Sequence, residues 1–192
     1  MSSKQDIITP EYLRERLSFD EQTGILIWKY RLDRRRCWNS RFAGKAVGGA
    51  PTHYGYRVVS FVIDGKQYLV YAHRAAFAIV HGRWPDEQID HRDLNRFMNP
   101  LGNLREASSS QNKMNMRRRS DSTSGFKGVS RRRDTGRFTA YINKEGRRIH
   151  LGCFDDPQAA ARAYDKVAAE IFGDFARLNF PPEGEPSTCE RL

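Results

Sequence analysis

The segment between Asp156 and Gly173 most constrains the fold, because it carries both helix boundary signals around one apolar stripe. Asp156 is a good N-cap, Pro157 suits the first helical position, and Gly173 follows the last periodic residue. The stripe consists of Ala160, Ala163, Tyr164, Val167, Ala168 and Ile171. Small alanine side chains allow a helix to approach a sheet closely. We therefore expect a helix that lies on a sheet.

Three short strand patterns precede this helix, at residues 126–130, 137–143 and 147–151, and the turn 144–146 joins the last two. Alternation along the second strand gives it two chemically different faces, because successive side chains point to opposite sides. One face carries Arg137, Thr139, Tyr141 and Asn143, and the other carries Phe138, Ala140 and Ile142. We expect the apolar face to meet the helix and the polar face to be free for a ligand.

The amino-terminal part is predicted to be a mixture of short helices and strands. Residues 10–17 follow Thr9, a candidate N-cap, and 25–30 has the composition of a strand. Asp64-Gly65 separates two strand-like runs, which is the strongest short-range hairpin signal. Residues 73–81 have helical spacing and end before Gly82, whereas the basic segment 31–41 shows no regular pattern and is a candidate phosphate contact.

A strand, loop, strand and helix are predicted next. Residues 88–91 suggest a short strand, and a polar loop leads to Gly102 and a second strand through Leu104. Ser108 and Gln111 form a capping-box pattern, so a helix should begin there. The basic and small polar residues 117–123 are typical of a linker, and residues 182–192 are expected to be a disordered tail.

The positive charge is concentrated in one part of the chain. The formal net charge is +10, and residues 113–148 contain twelve Lys or Arg and three acidic residues. This concentration favours a nucleic-acid-binding face over general solubility. The three cysteines are far apart and lack a Cys-x-x-Cys pair, and no run suggests a signal peptide or membrane span. We expect a soluble, cytoplasmic protein without structural zinc.

The residues with chemical potential lie between positions 90 and 112. Asp90, His91, Asn103 and Asn112 offer a carboxylate, an imidazole and two carboxamides within 23 residues. Oxygen ligands from Asp90 and Asn112 can hold a hard divalent cation. The imidazole can accept a proton from water that attacks phosphorus. This set is the minimum that a metal-dependent phosphodiesterase requires.

Residues 71–116 resemble the HNH (ββα-metal) homing endonucleases of the phage type, with Ile-Asp-His-Arg-Asp, Asn-Leu-Arg-Glu-Ala and Gln-Asn-Lys-Met-Asn segments. The resemblance implies that Asp90 and Asn112 bind metal, that His91 is the general base, and that Asn103 braces the loop and orients His91. The last position is Asn112 rather than His, so oxygen ligands favour Mg²⁺, with Mn²⁺ as the alternative, over Zn²⁺. The accessory candidates are His73, Arg105 and Asn115.

Residues 124–180 resemble the plant ethylene-response-factor (Apetala-two type) DNA-binding domain, through Leu-Gly-Cys-Phe-Asp and Ala-Arg-Ala-Tyr-Asp segments. The resemblance implies a three-stranded antiparallel sheet in the major groove of DNA with a helix behind it. The implied DNA contacts are Lys127, Arg131, Arg132, Arg133, Arg137, Tyr141, Asn143, Arg148 and His150. The family's tryptophan is replaced near Asp134 and Thr135, so its preferred DNA sequence does not carry over.

The predicted fold class is α+β: an N-terminal region at 1–70 with a β-hairpin, a ββα-metal nuclease module at 71–116, the linker, and a sheet-and-helix DNA-binding domain at 124–181. The predicted function is a phage or mobile-intron homing endonuclease that nicks or cleaves double-stranded DNA as a monomer, with a dimer as the alternative. Its setting would be the cytoplasm of a bacterial host.

Two other functions remain open from the sequence. A DNA-binding regulator could use the nuclease fold only as a scaffold. An RNA-binding or packaging protein is the third candidate, although a sheet that reads the major groove fits DNA better, because the major groove of duplex RNA is too narrow.

Overall fold

The computed structural model describes residues 4–47, 51–118 and 122–182 of the 192-residue chain. The chain divides into two compact units, Met1–Glu106 and Ala107–Leu192. The boundary falls inside the segment 71–116 that the sequence assigned to one module, so this segment contributes to both units. The predicted linker 117–123 lies partly, and the predicted tail at 182–192 almost wholly, outside the described residues.

The first unit begins with short elements around a common apolar core. They are α1 (Lys4–Ile7), α2 (Pro10–Arg16), β1 (Leu17–Asp20), β2 (Ile25–Trp28) and α3 (Arg36–Phe42). The Thr9 side chain accepts a hydrogen bond from the Tyr12 amide, which confirms the predicted cap of α2. Helix α3 corrects the expectation of irregular structure at 31–41. Its stabilising contacts are tertiary, because the buried Asn39 side chain binds the backbone of Arg31.

The predicted hairpin and the helix after it are both present. Strands β3 (Val58–Ile63) and β4 (Lys66–Tyr71) pair antiparallel across Asp64-Gly65, and α4 (Ala72–His81) ends at Gly82. Asp64 and Gly65 both have positive φ, as a two-residue hairpin turn of this kind requires. Apolar side chains of α2, β1, β3 and α4 meet in the core of this unit.

Strands β5 (Gln88–His91) and β6 (Leu104–Ala107) form a two-stranded sheet. The sequence placed the second strand through Leu104, but β6 begins at that residue, after a 3₁₀ turn at Leu101–Asn103. Helix α5 (Ser109–Asn115) begins at Ser108, and the Ser108–Gln111 capping box is formed in both directions. Both residues of this capping box belong to the second unit.

The second unit contains the predicted three strands and helix. Strands β7 (Val129–Arg131), β8 (Phe138–Lys144) and β9 (Arg147–Phe154) form an antiparallel sheet in that order, and α6 (Pro157–Phe172) covers it. Ala140 and Ile142 are buried on the helix side, as alternation predicts. A register shift interrupts the pairing of β8 and β9 between Ala140 and Tyr141.

Close approach of the chain to α6 explains a glycine in this unit. Gly128 has φ +73°, and a Cβ there would lie 2.0 Å from the Tyr164 ring. The Asp156 carboxylate accepts from the Ala159 amide at 2.7 Å, which confirms the predicted cap of α6. Helix and sheet therefore pack as the alanine stripe indicated.

The described architecture is a mixed α and β fold with small antiparallel sheets, as predicted. Within the described residues no helix is both long and apolar enough to cross a bilayer. The domain limits drawn from sequence motifs stay predictions.

Candidate functional site

Strand β5 places Asp90 and His91 next to each other at its end. Both are buried, with exposed fractions of 2% and 4%. The chain turns immediately afterwards, where the Leu94 amide donates to the His91 carbonyl at 3.0 Å and Leu94 itself has positive φ. The strand therefore ends at the two residues with the most important predicted roles.

Asp90 forms a buried ion pair with Arg105 of β6. The guanidinium Nε and Nη2 atoms each lie 2.9 Å from Asp90 Oδ2, and the Arg105 side chain is 9% exposed. The sequence named Arg105 only as an accessory candidate, and the structure pairs it with Asp90. A buried carboxylate is costly unless it is paired, and Arg105 provides the partner that Asp90 has here.

His91 is oriented by Asn99, a residue that the sequence analysis did not single out. The Asn99 Oδ1 atom lies 3.0 Å from His91 Nε2, and Asn99 is 2% exposed. The Asn99 Nδ2 atom donates to the Phe97 carbonyl at 3.3 Å, so Oδ1 is the atom that faces the imidazole. His91 Nε2 must then carry the hydrogen, which leaves Nδ1 as the basic nitrogen of the neutral ring.

Asn103 braces the loop that follows His91, as the HNH resemblance implied. Its Oδ1 accepts from the Asp93 amide at 3.0 Å, and its Nδ2 donates to Asp93 Oδ1 at 2.8 Å and to the Met98 carbonyl at 3.3 Å. The implied second role of Asn103, to orient His91, stays a prediction, and the side chain that contacts His91 Nε2 is that of Asn99. Sequence separation alone could not distinguish the two carboxamides, because both lie in the same short loop.

The turn between β1 and β2 packs against the backbone of Asn99. Gly24 has φ +71°, and a Cβ there would lie 2.1 Å from the Asn99 carbonyl carbon. The Leu101 amide donates to the Glu21 carbonyl at 2.9 Å in the same place. The amino-terminal region thus contributes directly to the conformation of the loop beside His91.

An aromatic cluster surrounds the His91 ring. His73 lies edge-on to it at 5.2 Å between centroids, and Tyr56 lies at 6.0 Å. Tyr71 stacks on His73 at 5.5 Å. His73 is buried, and its ring contacts Tyr56, Tyr71 and His91, so it packs against the side of the His91 ring. The sequence named His73 as an accessory candidate but missed Tyr56 and Tyr71.

Burial lowers the pKa of both histidines. The pKa of His73 falls to about 3, mainly because the ring is buried, with smaller effects from the charges of His91 and Arg74. Burial also lowers the pKa of His91, although Asn99 and the nearby Asp93 and Asp90 oppose the change. Both rings are therefore neutral near pH 7, which is the state that a general base requires.

The second unit carries Asn112 on the short helix α5. Its amide donates to the Ser108 carbonyl at 2.9 Å, and its side chain is partly exposed. Asn115, an accessory candidate from the sequence, is only 4% exposed and lies on the packed side of α5. Its accessory role stays a prediction.

The polar face of the three-stranded sheet matches most of the predicted DNA contacts. Exposed side chains there or at its edge include Arg132, Arg133, Arg137, Asn143, Arg148 and His150. Tyr141 is half-buried, and the Arg148 guanidinium lies over its ring at 4.3 Å from the centroid. Two of the arginines are engaged by carboxylates: Arg132 by Asp134 at 2.6 Å and Arg137 by Asp155 at 2.7 Å.

Two predicted DNA contacts form hydrogen bonds within the second unit. Arg131 is exposed; it pairs with Phe138 in the register of β7 and β8, and its Nε donates to the Gly136 carbonyl. The Lys127 ammonium donates to the carbonyl of Met114 at the end of α5, within the same unit. Lys127 therefore has an internal partner, whereas the DNA contact of Arg131 stays a prediction.

The chemistry of the donors fits a hard divalent cation. Asp90 supplies carboxylate oxygen and Asn112 carboxamide oxygen, and Mg²⁺ characteristically takes one or two such ligands and completes its shell with water and phosphate oxygens. Among the described residues no group of three or more His, Cys, Asp and Glu side chains could hold a metal ion.

Part of the chain is similar to plant transcription factors. It is 41% identical over 66 residues, 29% of this chain and 15% of that protein, to an AP2-like ethylene-responsive transcription factor of Arabidopsis thaliana. It is 36% identical over 77 residues to the ethylene-responsive transcription factor WRI1 of the same plant, which is 35% of this chain and 18% of that protein. The matches span less than a fifth of either plant protein.

A solved structure described as DNA binding and cleavage by the HNH homing endonuclease I-HmuI is 24% identical, and the similarity covers 52% of this chain and 51% of that one. Its TM-score of 0.38 is too low to support a statement about the architecture. Residues 70–114 match the family model described as HNH endonuclease. The chain therefore contains a segment, residues 70–114, that matches the HNH endonuclease family model, and it is similar over part of its length to AP2-like transcription factors, as the two resemblances predicted.

Proposed function

We propose that this protein is a metal-dependent DNA endonuclease of the HNH homing type, which hydrolyses phosphodiester bonds in double-stranded DNA. The observation that carries the proposal is the pair His91 and Asn99 beside Asp90, within the segment that matches HNH endonucleases. A buried imidazole held in one tautomer next to a paired carboxylate is a costly arrangement. It is readily understood as a preorganised general base.

The proton is taken by His91. With Nε2–H directed at Asn99, the lone pair on Nδ1 is the group that accepts a proton from the attacking water. The pKa of His91, lowered by burial, keeps the ring neutral at neutral pH before the reaction. Asn99 then stabilises the imidazolium, because its carbonyl oxygen accepts from Nε2–H in both charge states.

Asp90 and Asn112 would hold the divalent ion, with Mg²⁺ proposed and Mn²⁺ as the alternative. When bound, such an ion supplies positive charge next to the scissile phosphate and the leaving oxygen. Arg105 holds the Asp90 carboxylate in place through their ion pair. Asn103 stabilises the loop that follows Asp90 and His91 through hydrogen bonds to Asp93 and Met98.

DNA would be held by the polar face of the second unit. The exposed arginines can contact phosphates. Asn143 and His150, which lie on the neighbouring strands, can contact base edges. The similarity to AP2-like transcription factors supports double-stranded DNA as the ligand. A monomer that cuts one strand at each visit, in the cytoplasm of a bacterial host of a phage or mobile intron, is the simplest version of the proposal.

The alternative is a regulator that binds DNA without cutting it. The test is incubation of purified protein with supercoiled plasmid in Mg²⁺, Mn²⁺ or EDTA, with DNA retardation measured on the same samples. The proposal predicts open-circular or linear product with metal only. Retarded DNA that stays supercoiled in both metals would contradict the nuclease and favour the regulator.

A further inference from the structure

Helix α5, which carries Asn112, is held at its end by residues from a much later part of the chain. The carbonyl of Met114 accepts from the Lys127 ammonium and, at 3.3 Å, from the Arg177 amide. The last carbonyls of a helix lack partners within the helix, and a positive charge beside them is favourable. Two donors therefore satisfy a carbonyl in the last turn of α5.

Lys127 is itself fixed in place by a buried carboxamide. Its amide donates to Asn179 Oδ1 at 2.7 Å, and its carbonyl accepts from Asn179 Nδ2 at 3.1 Å. Asn179 is 2% exposed and donates in turn to the Asp165 carboxylate on α6, through its amide at 2.8 Å and its side chain at 2.9 Å. A continuous set of hydrogen bonds thus links α6 to α5.

The length of α5 makes these contacts important. It has seven residues, and a helix of this length is not stable without tertiary contacts. The orientation of α5 is therefore set by the unit in which it packs, and that unit also presents the polar face of the three-stranded sheet.

We propose that Lys127 is a positioning residue for Asn112: it fixes α5 on the sheet-and-helix unit, so that this unit orients a proposed metal ligand as well as holding DNA. The inference rests on the proposed function for the role of Asn112, but the attachment of α5 can be measured independently of cleavage. It replaces the predicted DNA contact of Lys127 with an internal one.

The test compares Lys127→Met with two control variants in the full chain. Lys166→Met removes an exposed lysine of α6 from the same unit, and Arg148→Met removes an exposed arginine of the proposed DNA face. Three quantities are measured: amide hydrogen exchange across residues 109–116, DNA affinity in EDTA, and the cleavage rate at saturating DNA as a function of Mg²⁺ concentration.

For Lys127→Met we expect faster exchange in α5 and unchanged DNA affinity. We also expect a cleavage rate or Mg²⁺ affinity lower by about tenfold to a hundredfold, the usual effect of removing support from a metal ligand. Lys166→Met should match the wild type in all three measurements. Arg148→Met should weaken DNA binding and leave exchange in α5 unchanged.

Two results would overturn the inference. One is unchanged exchange in α5, and the other is an affinity loss like that of Arg148→Met with a normal rate at saturation, which would make Lys127 a DNA contact. If the wild type does not cut DNA while Lys127→Met still loosens α5, the attachment stands and the proposed nuclease function fails. Lys127→Gln, which is polar but too short to keep the contact, replaces the methionine variant if that one does not fold.

Discussion

Asn99 Oδ1 lies 3.0 Å from His91 Nε2, and this contact determines which nitrogen of the imidazole is basic. The orientation of the Asn99 side chain follows from its second hydrogen bond, to the Phe97 carbonyl. A carboxamide fixed at both ends can hold the ring in one tautomer, as orienting groups do for catalytic and metal-bound histidines.

Removal of the acceptor at position 99 should slow cleavage without weakening DNA binding. We expect Asn99→Leu, which has a similar size, to lower the single-turnover rate by about tenfold to a hundredfold. Asn99→Asp retains an acceptor for Nε2–H and should retain more activity than the leucine variant. Equal rates for the two variants would show that the hydrogen bond has no role.

The ion pair between Asp90 and Arg105 should be important for stability. Arg105→Met leaves the Asp90 carboxylate buried without its cation, which typically costs about 3–5 kcal/mol of unfolding free energy. Arg83→Met removes a cation from an exposed pair with Glu106 and should have a far smaller effect. Urea denaturation of both variants measures the difference, and similar losses would contradict the assigned burial of the Asp90 pair.

His73 should make the protein sensitive to acid. Its folded pKa of about 3 is below the ordinary value of 6.5, so between these values the unfolded state binds the proton and the folded state does not. Stability is therefore fully present above pH 6.5 and is lost as the pH falls, by about 1.4 kcal/mol for each pH unit well below 6.5.

The comparison is with His73→Phe, which keeps an aromatic ring and cannot titrate. Between pH 7 and pH 5, the unfolding free energy of the wild type should fall by more than that of the variant. Urea denaturation at each pH measures both values. Parallel pH profiles for the two proteins would mean that His73 does not titrate between its folded and unfolded values.

Asp134 should limit DNA binding. Its carboxylate accepts from Arg132 Nε at 3.0 Å and Nη2 at 2.6 Å, and the same pairing lowers the Asp134 pKa to about 2. Asp134→Asn should release Arg132 for phosphate, raise DNA affinity by roughly fivefold at moderate salt, and steepen the salt dependence of binding by about one counterion. Fluorescence anisotropy across a salt series measures both quantities, and unchanged affinity would show that Arg132 does not reach DNA.

The local elements were predictable because their signals lie within a few residues. Asp64-Gly65 is sufficient for the β3–β4 turn, and Asp156 with Pro157 is sufficient for the start of α6. The charged face of the sheet followed from alternation along β8. Helix α3 was not predicted, because it depends on contacts that no local sequence pattern predicts. One of them is the hydrogen bond between the Asn39 side chain and the Arg31 backbone.

Two parts of the candidate site required the three-dimensional structure. Asn99 reaches His91 only because the loop folds against Gly24, a residue 75 positions earlier in the chain. In the sequence, Lys127 has the charge and position of a DNA contact. Its hydrogen bond to the Met114 carbonyl is a tertiary contact that the sequence does not show. Residue type identified the chemistry available at these positions, and packing decided which partner each residue has.

The central claim is that His91 removes a proton during DNA hydrolysis. The direct measurement is the single-turnover cleavage rate of wild type and His91→Ala in Mg²⁺, with DNA affinity measured on the same preparations and His53→Ala, an exposed histidine, as the control. We expect a loss of about 10²–10⁴ in rate for His91→Ala, the usual contribution of a general base, with DNA affinity retained and His53→Ala unaffected. Cleavage by His91→Ala at the rate of the wild type would contradict the account.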